Sequence, residues 1–443
     1  MDNQAVEELT HASGIAGSPS DTVGQDWIPE RMNVPRSEDP PPSAPNDMSR
    51  PELYREDKWQ EPFRAMRLDA PVNRCENSIF GPYWNISSHA AIQHVESLPE
   101  LYSSSWEYSG ITIADRNDDD RIQLPMFIAM DRPQHTGQRR TVAPAFTPAE
   151  MTRMSGDIRQ RTAEILDRLP VGESFDWVDK VSIELTTQML AILFDFPWEN
   201  RRKLTYWSDW AGDIEIATSA ALKEQRLAVL YDMAANFKQL WDSKLNAEPT
   251  PDLISMMIHS EAMSHMSDEE FMGNLVLLIV GGNDTTRNSM SAYAYGMDKF
   301  PDERAKLEAN PALIPNATSE IIRWQTPLAH MRRTATADAE LFGHEVKAMD
   351  KLILWYISAN RDEAVFERPD DIIVDRENAR RHLAFGHGIH RCVGARLAEL
   401  QISILMEEMA KRRLRVHVTG EVERTNACFV HGYRKMGVEL ERY

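Results

Sequence analysis

Cysteine and long apolar runs are both scarce in this sequence. Only Cys75, Cys392 and Cys428 occur among 443 residues, which excludes a disulfide-rich fold and favours a reducing cytoplasm. The start of the chain shows no basic-then-apolar leader, which favours the same compartment. The longest apolar run, near residues 275–280, is far shorter than the roughly 18 residues that span a bilayer, so we expect no membrane span.

Positive charge is scarce as well. The chain has 69 acidic and 49 basic residues, and its net charge of -20 repels phosphate backbones, so we expect no nucleic-acid partner. Hydrophobic residues make up 42% of the chain and charged residues 27%, which is the composition of a globular protein with a sizeable core.

The first part of the chain differs from the rest. Residues 1–50 are rich in proline and acids and lack apolar periodicity, which predicts a mobile or loosely draped arm. Residues 51–443 contain no repeat and no glycine-rich linker, which predicts a single domain. Amphipathic helical spacing dominates this body, so we expect a mainly α fold with small β-sheets. The predicted helices are 151–169, 180–194, 221–245 and 395–411, and the predicted strands are 351–356, 414–418 and 435–440.

One cysteine stands directly before a predicted helix. Cys392 lies just ahead of Ala395, where the helix begins, so its sulfur meets the positive end of the helix dipole. This position, with Arg391 beside it, favours the thiolate, which is the form that binds metals.

The loop around this cysteine carries three glycines and an aromatic residue. Gly386, Gly388 and Gly394 allow tight turns and the close approach of a flat ligand. Phe385 can cover the sulfur. Two alternatives stay open at this point: a lone cysteine is commonly a buried and inert residue, and zinc is the other alternative. The zinc ligands would be His382, His387, His390 and Cys392.

A polar string interrupts an apolar helical pattern in the second half of the chain. It reads Gly281, Gly282, Asn283, Asp284 and Thr285. One interpretation is that the glycines end one helix and that Asn283 or Asp284 caps the next. The other is that the missing side chains open a groove for O2 within one helix, where Asp284 and Thr285 supply protons. Polar groups in an apolar helix need such a reason.

Two charged pairs are spaced one helical turn apart. Glu320 and Arg323 would form a surface pair worth only about 0.2 to 0.5 kcal/mol. His135 and Arg139 would present two cationic donors on one helix face. Taken alone, each pair is ordinary surface decoration.

The segment Phe385-x-x-Gly388-x-x-x-Cys392-x-Gly394 resembles the haem-binding signature of the cytochrome P-450 superfamily. The resemblance implies that family's fold, a triangular helical body with haem between the oxygen-activating helix and the Cys-ligand loop. It implies haem b (iron protoporphyrin IX) as the cofactor, with the Cys392 thiolate as the axial ligand of the iron. His390 takes the position of a propionate-contacting histidine, and Gly388 and Gly394 take those of turn glycines.

The other motifs fit the same resemblance, which covers everything beyond the N-terminal arm. By this match, Asp284 relays protons and Thr285 holds the activated oxygen by a hydrogen bond until the O–O bond breaks. His135, Arg139 and Arg333 match residues that contact the haem propionates, and guanidinium groups suit carboxylates geometrically.

Glu320 and Arg323 match the family's structural Glu-x-x-Arg pair. A third, basic partner is usual in the stretch after Phe366. Asp371 stands where we expect that base, and this departure leaves open what completes the network.

The resemblance implies a monooxygenase. Two electrons and two protons reduce O2, and one oxygen atom enters a C–H bond of a small hydrophobic substrate. The sequence has no flavin or nicotinamide module, so we expect electrons from an iron-sulfur ferredoxin and a flavin-dependent ferredoxin reductase. An acidic ferredoxin would dock on a positive zone. That zone consists of Arg380, Arg381, Arg391 and Arg396.

Segments 126–131, 281–289 and 379–385 resemble the bacterial alkane and fatty-acid terminal (omega) hydroxylase branch. The branch implies terminal hydroxylation of medium-chain n-alkanes or fatty acids by a cytoplasmic monomer. Because a methyl C–H bond is stronger than a methylene one, the pocket must restrict which carbon reaches the iron. The alternatives are a monooxygenase of terpenoids, steroids or other bulky hydrocarbons on the same fold, and a noncatalytic haem-thiolate sensor.

Overall fold

The protein is described here from a computed structural model that covers residues 44–117, 123–219 and 221–443. Most of the predicted arm, residues 1–43, lies outside the described residues, so its boundary stays a prediction. Of the remainder, Asp47 and Met48 are buried. The Tyr83 hydroxyl donates to Asp47 Oδ1 at 3.0 Å and accepts from the Met48 N–H at 2.9 Å. Asp47 and Met48 are therefore held against Tyr83.

Helices dominate the described chain, as the sequence predicts. None of the helices in this part of the chain has both the length and the apolar character needed to cross a membrane. In chain order the α-helices are α1 (Pro51–Arg55), α2 (Gln60–Asp69), α3 (His89–Glu96), α4 (Gln134–Val142), α5 (Pro148–Arg168), α6 (Glu184–Phe194), α7 (Arg202–Gly212), α8 (Ile214–Thr218), α9 (Lys223–Lys244), α10 (Leu253–Ile258), α11 (Asp268–Lys299), α12 (Pro301–Ala309), α13 (Ile314–Gln325), α14 (Tyr356–Ala359) and α15 (Ala395–Lys411).

The strands form small sheets. One sheet has the order β1-β2-β8-β5-β3, in which β2 and β8 run parallel and the other neighbours antiparallel. A second has the order β4-β12-β9, and β6-β7 and β10-β11 are two-stranded. In chain order the strands are β1 (Val72–Cys75), β2 (Tyr83–Ile86), β3 (Tyr102–Ser103), β4 (Ser174–Asp176), β5 (Met331–Ala335), β6 (Ala339–Leu341), β7 (His344–Val346), β8 (Lys351–Leu354), β9 (Leu414–Val418), β10 (Glu423–Arg424), β11 (Tyr433–Lys435) and β12 (Gly437–Arg442).

Several predicted element boundaries are close to those observed, but the predicted strand 351–356 ends at Leu354, and Tyr356 begins α14. α15 and β9 have the predicted bounds. α5 begins slightly earlier than predicted, because Thr147 caps it by accepting a hydrogen bond from the Glu150 N–H, and Pro148 suits the first turn. The predicted last strand is in fact two strands, β11 and β12, separated by Met436.

The described chain divides into two compact units. The first contains residues 117, 123–145 and 186–284, apart from residue 220. It is built from helices, and aromatic rings form part of its core. Phe194 packs edge-on against Phe237 with ring centroids 5.1 Å apart, and Phe196 and Trp207 surround them.

The second unit contains residues 44–116, 146–185 and 285–443, and all the described strands lie in it. One core packs α13 and α15 with β9 and β12 around Ile321 and Leu405. Another packs α3 on the five-stranded sheet around Ile92. The cysteine loop and its neighbours belong to this unit.

α11 passes through the glycine pair without a break. The interpretation that Gly281 and Gly282 end a helix is therefore wrong. A Cβ at Gly282 would lie only 2.8 Å from Leu190 Cδ2, so the missing side chain lets α6 pack closely on α11, whereas Gly281 faces open space. This packing offsets the roughly 1 kcal/mol that each glycine costs in a helix.

Candidate functional site

The backbone of the cysteine loop is folded tightly on itself. The Gly386 N–H donates to the Leu383 carbonyl, and the Cys392 N–H donates to the Phe385 carbonyl, each at 2.8 Å. Gly386 and Gly388 have φ angles of +69° and +66°, which glycine adopts without strain. The loop therefore needs glycine at both positions to hold Cys392 in place.

Cys392 is exposed, whereas Cys75 and Cys428 are buried. It stands before the first turn of α15, and Gly394 is the residue that immediately precedes that helix. The Arg391 guanidinium lies 5.8 Å from the ring centroid of Phe385 in the same loop. The helix terminus and the nearby cation both favour the Cys392 thiolate, and the interpretation of this residue as a buried, inert cysteine is wrong.

A buried carboxylate ties this loop to its surroundings, and sequence analysis missed it. Glu96, at the end of α3, accepts hydrogen bonds from Arg333 Nη2 at 2.9 Å, the Tyr356 hydroxyl at 2.6 Å and the His387 N–H at 2.8 Å. Burial raises the pKa of Glu96 above its usual value, and Arg333 opposes that rise. Arg333 and the cysteine loop are thus joined through one side chain.

The two adjacent arginines of β5, Arg332 and Arg333, bind different carboxylates. Successive side chains of a strand point to opposite faces. Arg333 therefore reaches Glu96, whereas Arg332 Nη1 donates to Asp115 Oδ1 at 2.7 Å. The structure thus places Arg333, the predicted propionate contact, beside the cysteine loop.

His390, the other predicted propionate contact of this loop, is held by a serine. Its Nε2 lies 2.8 Å from Ser104 Oγ. Gly388, two residues earlier, lies against the Glu96 main chain, whose carbonyl oxygen occupies the space that a Cβ would need. The predicted loop residues therefore lie together in the second unit.

The Glu-x-x-Arg network, whose completion the sequence left open, is complete. Arg323 donates to both Glu320 oxygens at 2.7 and 2.8 Å, and Arg376 Nε lies 3.0 Å from each of them. Arg376 is therefore the basic partner that we expected at Asp371. The Asp371 carbonyl accepts from Arg323 instead, while its side chain pairs with exposed Arg368.

This network is buried rather than a surface pair. The side chains of Glu320 and Arg323 are fully buried. Burial by itself raises the pKa of Glu320, but the hydrogen bond and charge of Arg323 and the charge of Arg376 bring it below its usual value. Glu320 is thus held as a carboxylate that fixes the chain around it.

Asp284 in α11 is buried and firmly oriented within the first unit. Its Oδ1 accepts from Ser208 Oγ at 2.9 Å and from Asn283 Nδ2 at 3.2 Å, and Thr186 Oγ1 donates to Asn283 Oδ1 at 2.9 Å. A Cβ at Gly212 would lie 3.0 Å from Asp284 Oδ2. α7 therefore supplies the Ser208 hydroxyl that binds Asp284, and Asp284 packs closely on α7 at Gly212.

Three predicted site residues remain, namely Thr285, His135 and Arg139. Thr285 follows the buried acid in α11 and is partly exposed. His135 is buried and Arg139 half-buried, one turn apart on α4 as predicted. The role of His135 and Arg139 as haem-propionate contacts, shared with Arg333, stays a prediction.

The zinc alternative lacks a ligand set. The described residues contain no group of three or more His, Cys, Asp or Glu side chains placed to hold a metal ion. His382 is buried, its Nδ1 accepts from the Ala384 N–H at 3.2 Å, and burial lowers its pKa to about 3. It is a structural residue of the loop.

The donor set fits a haem. A single exposed thiol at a helix N-terminus suits a haem-thiolate site, and Gly386 and Gly388 give the loop before it the positive φ angles of its tight turns. Arg333 has five N–H donors, of which one binds Glu96 and another the Arg332 carbonyl. Its guanidinium suits a haem carboxylate. Fold and site together define a haem-thiolate protein.

Comparison with known proteins specifies the family. The model of the family described as Cytochrome P450 matches residues 150–427, more than half of the chain, and the protein belongs to that family. The solved "Cytochrome P450-153 from Novosphingobium aromaticivorans" is 66% identical, covering 90% of this chain and 100% of its own, with a TM-score of 0.86. "CYP153D17 from Sphingomonas sp. PAMC 26605" is 69% identical over 90% of this chain and 99% of its own, with the same TM-score.

A curated relative is similar as well. The "Linalool 8-monooxygenase" of Pseudomonas putida is 32% identical over 402 residues, which are 89% of this chain and 98% of that protein. The protein is thus a cytochrome P450 monooxygenase, its cofactor is haem b, and it requires a redox partner as an electron source.

Three residues of the site were missed in the sequence. Glu96, Arg376 and Ser208 each bind a residue far away in the chain and lie outside the motifs. Only Arg376 had a usable signal, because it is the first basic residue after the expected position at Asp371.

Proposed function

We propose that this protein hydroxylates the terminal carbon of medium-chain n-alkanes or fatty acids. The resemblance of segments 126–131, 281–289 and 379–385 to the terminal-hydroxylase branch carries the proposal. Similarity at 66% and 69% identity to two P450-153 proteins supports it, because it extends over nine-tenths of the chain.

The residues of the second unit would hold the cofactor. Cys392 supplies the thiolate ligand to the iron, and Arg333 and His390 supply donors to the haem carboxylates. His135 and Arg139 are proposed to add two further donors. When bound, haem b supplies the O2 activation and the hydrogen abstraction from the substrate C–H bond.

Asp284 and Thr285 are proposed to deliver protons. Asp284 Oδ1 already accepts from Ser208 and Asn283, so a proton carried by this carboxyl resides on Oδ2. Thr285, next in the helix and partly exposed, would pass that proton on through its hydroxyl and donate a hydrogen bond to oxygen at the haem.

A terpenoid substrate is the second candidate. The similarity to a linalool 8-monooxygenase favours it, because that relative covers 89% of the chain. Such a substrate is bulkier than an n-alkane, so the two candidates differ in the pocket width they need.

Product analysis separates these candidates. Purified holoenzyme with a surrogate ferredoxin and reductase is supplied with octane, decane, dodecanoic acid or linalool, and products are identified by gas chromatography and mass spectrometry. We expect mostly the 1-alcohol or the terminal hydroxy acid. Subterminal mixtures, or coupled product from linalool alone, would contradict terminal alkane hydroxylation.

We further propose that an iron-sulfur ferredoxin, itself reduced by a flavin-dependent reductase, docks beside the cysteine loop. Four arginines there are exposed. Two of them, Arg380 and Arg396, line a groove of about 370 Å³ together with Glu399. An acidic partner would be attracted to this surface. The four are Arg380, Arg381, Arg391 and Arg396.

Charge reversal tests this docking. Arg396→Glu should slow the second-order electron transfer from ferredoxin and weaken its dependence on salt. Lys347→Glu, an exposed control on another surface, should change neither. Equal rates for Arg396→Glu and wild type across salt concentrations would reject the site. We also propose a monomer in the cytoplasm, where reducing conditions keep Cys392 from forming a disulfide.

A further inference from the structure

Glu96 is a buried acid that the cysteine motif does not include. Its side chain is 1% exposed, and its three hydrogen-bond donors come from β5, α14 and the cysteine loop. Arg333 and Tyr356, two of those donors, are buried as well. Burying a charged group without partners is costly, so these donors are what stabilises the Glu96 side chain in the interior.

The main chain of Glu96 interlocks with the loop. Its carbonyl oxygen fills the position of a Cβ at Gly388, and its Oε1 lies 3.7 Å from the position of a Cβ at Gly386. Neither glycine can be replaced without displacing the end of α3 or straining a positive φ angle. Glu96 therefore fixes the distance between Arg333 and the loop that carries Cys392.

Two groups that can carry opposite charges meet in this buried cluster. The Glu96 carboxyl and the Arg333 guanidinium lie 2.9 Å apart, and both side chains are shielded from water. Tyr356 and the His387 N–H are neutral donors to the same carboxylate. The Arg333 guanidinium has further N–H donors that can bind a second acceptor. A carboxylate bound there would share the positive charge of Arg333 with Glu96.

We propose that Glu96 is a positioning residue that shares the charge of Arg333 with a haem carboxylate and thereby lowers the midpoint potential of the iron. The inference rests on the proposed function, because it takes Arg333 as a propionate contact. Reduction adds one electron from an external reductant to ferric iron and gives ferrous iron. A buried negative charge nearby opposes that added electron, since water screens it weakly.

The primary test is Glu96→Gln in the holoenzyme. The ferrous carbonyl spectrum is recorded first, and a red-shifted Soret band shows that the thiolate ligand is intact. The midpoint potential is then measured by spectroelectrochemical titration without substrate, at fixed pH and ionic strength. We expect a more positive potential for Glu96→Gln than for wild type. An intact Soret band with an unchanged potential would overturn the proposal.

Two controls separate charge from structure. Tyr356→Phe removes one hydrogen bond to the same carboxylate and no charge, so its potential should stay close to wild type. Asp115→Asn removes a carboxylate that pairs with Arg332, on the other face of β5, and should also leave the potential unchanged. A shift in Tyr356→Phe as large as that in Glu96→Gln would show that only the packing matters, and would overturn the proposal.

A paired variant keeps the test decisive if Glu96→Gln loses haem. Arg333→Gln should shift the potential to more negative values, and adding Glu96→Gln should bring it back up, because the double variant leaves no unpaired buried charge. No recovery in the double variant would overturn the proposal. These titrations do not depend on turnover, so a failure of alkane hydroxylation and a failure of this inference are distinguishable.

Discussion

Asp284 shows how single contacts prepare a reactive side chain. Its Oδ1 accepts from Ser208 on α7 and from Asn283, and Gly212 leaves room for its other oxygen. A buried carboxylate needs such donors, because a hydrogen bond to a charged group contributes about 1.5 to 3 kcal/mol. The orientation of the proposed proton donor thus depends on a residue that the family motif does not contain.

Ser208→Ala should impair proton delivery without removing haem. Loss of one hydrogen bond of about 1.5 kcal/mol corresponds to a roughly tenfold lower rate of coupled product formation. The measurement is product formed per reducing equivalent, with the ferrous carbonyl spectrum as the check on folding. Ser243→Ala, an exposed serine on α9, is the matched control. Full coupling in Ser208→Ala would contradict this role.

Thr285→Ala should divert reducing equivalents to hydrogen peroxide. The hydroxyl that we propose holds oxygen and passes the proton is then absent, so O2 should be released in reduced form before the C–H bond is attacked. Peroxide and product are measured against electrons consumed. Thr286→Ala changes the neighbouring buried threonine and should keep the coupling of wild type. Similar peroxide yields for both variants would argue against Thr285.

At the level of elements, α13 is joined to the segment after α14 by charge. Glu320 and Arg323 lie on one face of α13, and Arg376 reaches them from residues well downstream. The Arg323 guanidinium also donates to the carbonyls of Asn360 and Pro369, each at 2.7 Å. A helix and an irregular segment are thereby fixed together where no regular sheet or helix pairing exists.

Arg376→Gln should destabilise the protein by about 3 kcal/mol, the cost of leaving a buried charge with one partner fewer. Urea denaturation followed by tryptophan fluorescence measures the free energy of unfolding. Arg368→Gln removes a neighbouring arginine whose pair with Asp371 is exposed, and should cost less than about 1 kcal/mol. A smaller loss in Arg376→Gln than in Arg368→Gln would contradict the role of Arg376.

For the whole molecule, buried histidines make stability depend on pH. Burial lowers the pKa of His330 and of His431 to about 4, from a usual value of 6.5. Their Nδ1 atoms lie 2.9 and 2.7 Å from the carbonyls of Cys428 and Gln325. Between pH 6.5 and about 4 the unfolded chain binds protons at these sites and the folded protein does not.

The free energy of unfolding should therefore fall as the pH decreases from 6.5 to about 4, by about 3 kcal/mol for each of these histidines. His431→Asn, which keeps a donor near the Gln325 carbonyl, should reduce the slope in this window. His265→Asn, an exposed control, should leave it unchanged. Denaturant titrations at several pH values measure the slope, and equal slopes in all three proteins would refute the prediction.

Much of the fold and of the site can be predicted from residues that lie close together in the sequence. Helix α15 and strand β9 have their predicted bounds because their apolar spacing and end residues agree. The cysteine loop is predictable because its glycines, its thiol and the following helix lie within a few residues of each other. Glu320 and Arg323 are likewise visible, since one helical turn separates them.

Other features depend on contacts between distant residues. The sequence alone cannot decide whether Gly281 and Gly282 break a helix, because the answer is the close packing of Leu190 from α6. Nor does it show that Arg376 rather than Asp371 completes the Glu320 network.

The sequence by itself determined the haem-thiolate class, and it carries the proposals of Cys392 as the thiolate ligand and of Asp284 and Thr285 as the acid–hydroxyl pair, since each depends on residue types at short spacing. Only the tertiary structure decided what holds them: Glu96 for Arg333, and Ser208 for Asp284. The physical reason is that buried charges require partners, and folding supplies those partners from elements that are far apart in the chain.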